Sequence, residues 1–154
     1  MNRKIRVVHY LNQFFAQIGG EEKADVGPEI RAGIVGPRRA LQQALGESGE
    51  VVATIFCGDN YFAEHQVEVM DDLCRRIAEY KPDLLIAGPA FEGGRYGLAC
   101  GALCEAAQQR GIAAVAGMDA DNVGAELYRK TIFIVDSGMS IARMGPTLQK
   151  MAAL

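Results

Sequence analysis

Short runs of β-branched and aliphatic residues recur along the chain, separated by longer stretches in which apolar positions return every three or four residues. The short runs, residues 5–9, 51–56, 84–87, 112–116 and 131–135, have the length and composition of strands. The longer stretches read as helices. In residues 37–45, Pro37 falls in a first turn and Gly46 lies just past the end. Residues 64–80 carry Val67, Met70, Leu73, Cys74 and Ile77 at three-and-four spacing, which makes one apolar stripe. Pro82 opens the next strand segment. Residues 96–110 stop at Gly111, and residues 140–154 read as a terminal helix interrupted near Gly145 and Pro146.

This alternation predicts a three-layer α/β fold built on a mostly parallel five-stranded sheet with right-handed crossovers. The preferred topology is a flavodoxin-like order, 2-1-3-4-5. Such sheets bind ligands beyond the carboxyl ends of their strands, where the strand order reverses. That order brings the loop after the first strand, residues 10–36, to face the loop after the third, residues 88–95. The first loop is long for a compact domain, which fits a lid or a partner surface. Its Gly19-Gly20 followed by Glu21, Glu22 and Lys23 reads equally well as a turn before a solvated, charged helix start.

Composition adds exclusions. The chain has 154 residues, 49% hydrophobic and 23% charged, which fits one soluble globular domain rather than a disordered or membrane protein. A net charge of −3 gives no electrostatic reason to expect nucleic acid, and Arg38-Arg39 reads as a solvated helix start. No apolar run has the length of a membrane span, and residues 5–8 are too short a run for a signal peptide. The four cysteines, Cys57, Cys74, Cys100 and Cys104, lack Cys-x-x-Cys spacing, so neither a disulfide framework nor a metal site is expected. Reduced thiols in a cytoplasmic protein are the expectation.

Three segments carry candidate chemistry. Residues 88–97 lie between a strand and a helix, where backbone N–H groups can face an anion and Arg95 can grip a carboxylate in two places. Their glycines match neither the Walker pattern nor the dinucleotide fingerprint, and a tight turn accounts for them nearly as well. Residues 57–62 put a thiol, a carboxylate and an amide at one strand end. There Cys57 is either an activated nucleophile or a small packed residue, while Asp59 and Asn60 fit helix capping. His9, at a strand end, is either a proton donor near neutral pH or a hydrogen-bonded structural residue. Cys100 and Cys104, one helical turn apart, fit burial, and His65 a solvated helix face.

The order of the motifs is more specific than their chemistry. His9-Tyr10-Leu11-Asn12-Gln13-Phe14-Phe15, Gly19-Gly20-Glu21-Glu22-Lys23-Ala24, Cys57-Gly58-Asp59-Asn60-Tyr61-Phe62, Gly88-Pro89-Ala90-Phe91, and Gly93, Arg95, Tyr96 and Gly97 with Cys100-Gly101 follow one another across nearly the whole chain. Together they resemble the amino-terminal part of protein B of the glycine, sarcosine and betaine reductases. The resemblance implies a substrate-activating component of a multicomponent oxidoreductase that reductively cleaves the C–N bond of a small α-amino acid or its N-methylated derivative. A separate pyruvoyl-bearing subunit then engages the amine, and a selenocysteine in the later part of protein B attacks the α-carbon. The carboxymethyl group passes to selenoprotein A, and a further component releases acetyl phosphate.

Leu154 precedes the region where the family carries its selenocysteine. The expectation is therefore a single α/β domain over residues 1–154, inactive alone. The pyruvoyl group and the selenocysteine (or cysteine) belong to partner domains or subunits. Residues 117–122 depart from the acidic, proline-containing loop of typical members and leave the amine preference open. The candidate substrate contacts are Asn12, Asp59, Asn60, Phe91, Arg95 and Tyr96, with Cys57 and His9 as candidate catalytic groups. Two other readings remain: a non-catalytic docking module for the pyruvoyl subunit or selenoprotein A, and a flavin or nucleotide binder, for which no sequence signal speaks.

Overall fold

The computed structural model describes residues 4–16, 20–31, 38–138 and 151. Among these residues, six strands form one sheet: β1 (Ile5–Asn12), β2 (Glu29–Arg31), β3 (Gly49–Cys57), β4 (Leu84–Ala87), β5 (Ala113–Met118) and β6 (Phe133–Asp136). They lie side by side in the order β2-β3-β1-β4-β5-β6. All neighbours are parallel except β2, which pairs antiparallel with β3. The expected mostly parallel α/β sheet is present with six strands rather than five, because β2 adds an antiparallel edge that sets it apart from a plain flavodoxin-like arrangement. β2 lies inside the long first loop, and its three residues are too few to register as a periodic run.

Five α-helices lie within the described residues: α1 (Arg38–Leu45), α2 (Asp59–Glu64), α3 (Gln66–Glu79), α4 (Gly94–Gln109) and α5 (Val123–Tyr128), the last seated on α4. The helix expected over residues 64–80 is α3, and α2 stands before it as a separate element. His65, with φ −126° and ψ 34°, breaks the run between them. Val67 leaves the expected apolar stripe and is 85% exposed. It sits in the first turn of α3, whereas Val69, Leu73 and Ile77 recur every four residues and are buried. The expected terminal helix over residues 140–154 lies outside the described residues apart from Met151, which is helical and buried, and Pro37 lies outside them too.

Strand alternation splits the core between the two faces of the sheet. Val8 and Tyr10 of β1 face α2, α3 and α4, joining Phe62, Leu73, Ile77, Tyr96 and Leu103. Val7 and Ile86 face the other way, against Leu41 and Leu45 of α1 and Met151. Leu73, Leu85, Ile86 and Leu103 are each fully buried, and every such side chain contributes about 1.5–3 kcal/mol of apolar burial. No helix among the described residues is long and apolar enough to cross a membrane.

Candidate functional site

The chain leaves β1 toward β3 on one side and returns to β4 on the other, so the strand order reverses between β1 and β4. A crevice of about 340 Å³ opens there, beyond the carboxyl ends of both strands. Asn12, Gln13 and Phe15 wall it from the β1 side, Asp59 from the end of β3, and Phe91, Arg95 and Tyr96 from the segment between β4 and α4. The two loops singled out in the sequence meet in this crevice.

Its floor is a polar lattice with little exposure. Asn12, Gln13 and Asp59 are 6%, 3% and 6% exposed. Asn12 Nδ2 donates to Asp59 Oδ2 at 3.0 Å, and Asn12 Oδ1 accepts from the Phe15 amide at 3.0 Å. The Asp59 amide donates to Gln13 Oε1 at 3.1 Å. Asp59 therefore does not cap α2 as expected. The N-cap is Gly58, and Asp59 is the first residue of the helix with its carboxylate turned to Asn12. A carboxylate in the first turn also interacts favourably with the helix dipole. Asn60 is not a crevice wall. Its Oδ1 accepts a hydrogen bond from Arg95 Nη1, which ties α2 to the start of α4.

The segment after β4 is held from several directions. The Gly88 amide donates to Tyr10 O at 3.0 Å and the Ala90 amide to Gly117 O at 2.8 Å. Phe91 has φ 53°, a left-handed conformation that costs a non-glycine residue about 1–2 kcal/mol. Two donors offset that strain by fixing its carbonyl: the Asp119 amide at 2.8 Å and Asn122 Nδ2 at 2.9 Å. Asn122 Nδ2 also donates to Gly93 O at 3.0 Å, while its Oδ1 caps α5 through the Gly124 amide at 2.8 Å. Gly93 forms the N-cap of α4, so the first turn of that helix opens at the crevice edge. Such a turn presents N–H groups and the positive end of the helix dipole to an anion.

Aromatic rings back the crevice. The Phe15 ring lies 5.9 Å from Phe91 and 5.8 Å from Tyr96, and Tyr10 lies 6.3 Å from Tyr96, centroid to centroid. The buried Tyr96 hydroxyl has no hydrogen-bond partner. Burial, with Cys100 and Asp59 nearby, pushes its pKa well above the usual range, so it stays protonated.

The two candidate catalytic groups lie apart from this lining. Cys57 is fully buried, with Sγ 3.8 Å from Val26 O. Burial first, then the charges of Asp59 and Asp72, pushes its thiol up to about 12. His9 is also fully buried, and burial lowers its pKa to about 4 against the raising effect of its bond to Gly88. All four cysteines are free and buried. His65 is half-buried rather than solvated and stacks on Tyr61 at 4.2 Å. Among the described residues, no group of three or more His, Cys, Asp or Glu could hold a metal ion.

Two contributors escaped the sequence reading. Gln13 acts on a backbone amide 46 positions away and Asn122 on a carbonyl 31 positions away, distances that no local pattern reports. Asn122 left one trace, an N-cap residue ahead of Val123-Gly124-Ala125.

Comparison with known proteins places this geometry in context. The family model for glycine/sarcosine/betaine reductase selenoprotein B matches residues 4–154. The chain is 53% identical over 152 residues to glycine reductase complex component B subunit gamma of Carboxydothermus hydrogenoformans, covering 98% of this chain and 35% of that protein. It is 46% identical over 153 residues to sarcosine reductase complex component B subunit beta of Peptoclostridium acidaminophilum, covering 99% and 35%. Against betaine reductase complex component B subunit beta of the same organism, identity is 37% over 148 residues, covering 96% and 34%. The chain thus spans about a third of the length of these relatives. No solved structure matches.

Proposed function

Because the chain belongs to the glycine/sarcosine/betaine reductase selenoprotein B family, we propose that its crevice forms one wall of the substrate site of such a reductase complex. The occupant is a small α-amino acid or its N-methylated derivative. The observation that carries this reading is the lining itself: a cation at Arg95, a helix start at Gly94, a carboxylate at Asp59 and buried aromatic rings meet at the switch point of the sheet.

In this role Arg95 and the first turn of α4 orient the substrate carboxylate through charge-assisted hydrogen bonds. The Asn12, Gln13 and Asp59 lattice keeps the floor rigid, and Phe15, Phe91 and Tyr96 exclude water from one side of the α-carbon. The chain's own thiols do not attack, because burial keeps them protonated. The nucleophile, a selenocysteine or cysteine, and the pyruvoyl group that takes the amine come from another domain or subunit. Phe14, 53% exposed at the crevice rim, fits contact with such a partner. It equally favours a second reading, in which this face only docks the pyruvoyl subunit or selenoprotein A.

Substitution Arg95→Ala in the full-length protein, assembled with its partner subunits, separates the two. Losing a charge-assisted contact raises KM for the amine substrate roughly 10-fold or more while assembly is intact. Unchanged kinetics remove Arg95 from the site. Turnover by the 154-residue chain alone would refute the shared site altogether.

A further inference from the structure

His9 has no place in the crevice wall, yet it touches the segment that forms it. Alternation along β1 turns Val7, His9 and Leu11 to the face opposite Tyr10 and Asn12. From there His9 Nε2 reaches the Gly88 carbonyl oxygen at 2.7 Å. A carbonyl oxygen only accepts, so Nε2 carries the proton and Nδ1 is the bare nitrogen of a neutral ring. The Gly88 amide bonds to Tyr10 O. Both backbone groups of Gly88 are therefore fastened to consecutive residues of β1, at the point where the chain leaves β4.

A second observation shows that the ring is kept at a cost. His9 Nδ1 and Thr54 Oγ1 are both buried without a hydrogen-bond partner, on residues paired across β1 and β3. An apolar side chain would leave no such unsatisfied atom in this position. What the imidazole supplies in return is the bond to Gly88.

We propose that His9 is a positioning residue of the crevice. By donating Nε2–H to Gly88 O, it fixes the exit from β4 and so sets the placement of Phe91, Gly93 and the first turn of α4, without touching substrate. Gly88 has φ 96° and a Cβ there would lie 2.8 Å from Gly117 O, so the residue is a glycine whose freedom has to be restrained from outside. The proposal rests on the crevice being part of the substrate site.

The test uses the full-length protein in its assembled complex with three substitutions. The amide of His9→Gln reaches close to the position of Nε2, that of His9→Asn is too short, and His9→Met fills the space without a donor. His9→Gln is expected to keep KM within about twofold of the unsubstituted protein. His9→Asn and His9→Met are expected to raise KM roughly 10-fold with a smaller change in kcat. In the same two variants deuterium uptake quickens at the amides of Ala90 and Gly93 but not in α3. If His9→Asn folds poorly, His9→Met gives the same contrast with His9→Gln. Equal uptake at Ala90 and Gly93 in all variants overturns the positioning role. Faster uptake with unchanged KM overturns the crevice reading on which it rests.

Discussion

A thiol at a strand end, one residue before a helix cap, has the local setting of an activated nucleophile, but Cys57 is sealed in the core with its pKa pushed up to about 12. At neutral pH the thiolate fraction is then on the order of one in 10⁵, so neither attack on substrate nor alkylation proceeds at a useful rate. Burial pushes the Cys74, Cys100 and Cys104 thiols up as well. All four cysteines are expected to label slowly with an alkylating reagent at pH 7.5 and fully after denaturation, as read by mass. If the nucleophile comes from another domain or subunit as proposed, Cys57→Ala leaves turnover of the assembled complex within about twofold. Rapid labelling of Cys57 in the native protein would contradict this account. The placing of Asn12, Asp59, Phe91, Arg95 and Tyr96 on one crevice wall was legible because unusual polar and aromatic residues cluster after apolar runs. Burial was not legible at Cys57 and His9, because it depends on which elements cover a strand end.

At the scale of elements, the long strands and helices were legible because each carries a sustained period, and the short pieces were not. β2 has three residues and α5 six, fewer than two full turns. Only the second bears on the site. β2 is the antiparallel edge strand beside β3, whereas the loop leading into α5 supplies Asn122. Helix α4 reveals how α5 is seated. Its Gly97 and Gly101 are buried and carry no side chain, which leaves room for Asn122 and the Gly124 backbone against Gly97 and for the Tyr128 ring against Gly101. A Cβ on Gly124 would overlap the Gly97 carbonyl, and one on Gly101 would overlap the Tyr128 ring. Gly124→Ala is expected to cost about 1–3 kcal/mol of stability, measured as a lower denaturation midpoint. Because α5 moves with its N-cap, the same substitution should loosen the hold of Asn122 on Phe91 and Gly93. A midpoint and a substrate KM both unchanged would show that the contact is not tight.

For the molecule as a whole, the sheet decides where chemistry can happen. Five parallel strands point the loops after β1, β3 and β4 to one end, and the reversal between β1 and β4 parts two of them into a crevice. The alternation of strands and helices made that end legible, whereas the antiparallel edge at β2 was not. The crevice has a way to orient an anion and an acidic, aromatic floor, but no accessible nucleophile among its described residues. That imbalance is what the proposed shared site requires, and the chain spans about a third of its relatives' length. The central claim is that substrate sits in this crevice, and hydrogen exchange of the full-length protein in its assembled complex tests it most directly. With saturating amine substrate, uptake is predicted to fall at residues 13–16 and 90–97 relative to the unliganded complex. Unchanged uptake in both segments, with protection appearing elsewhere in the complex, would contradict the claim.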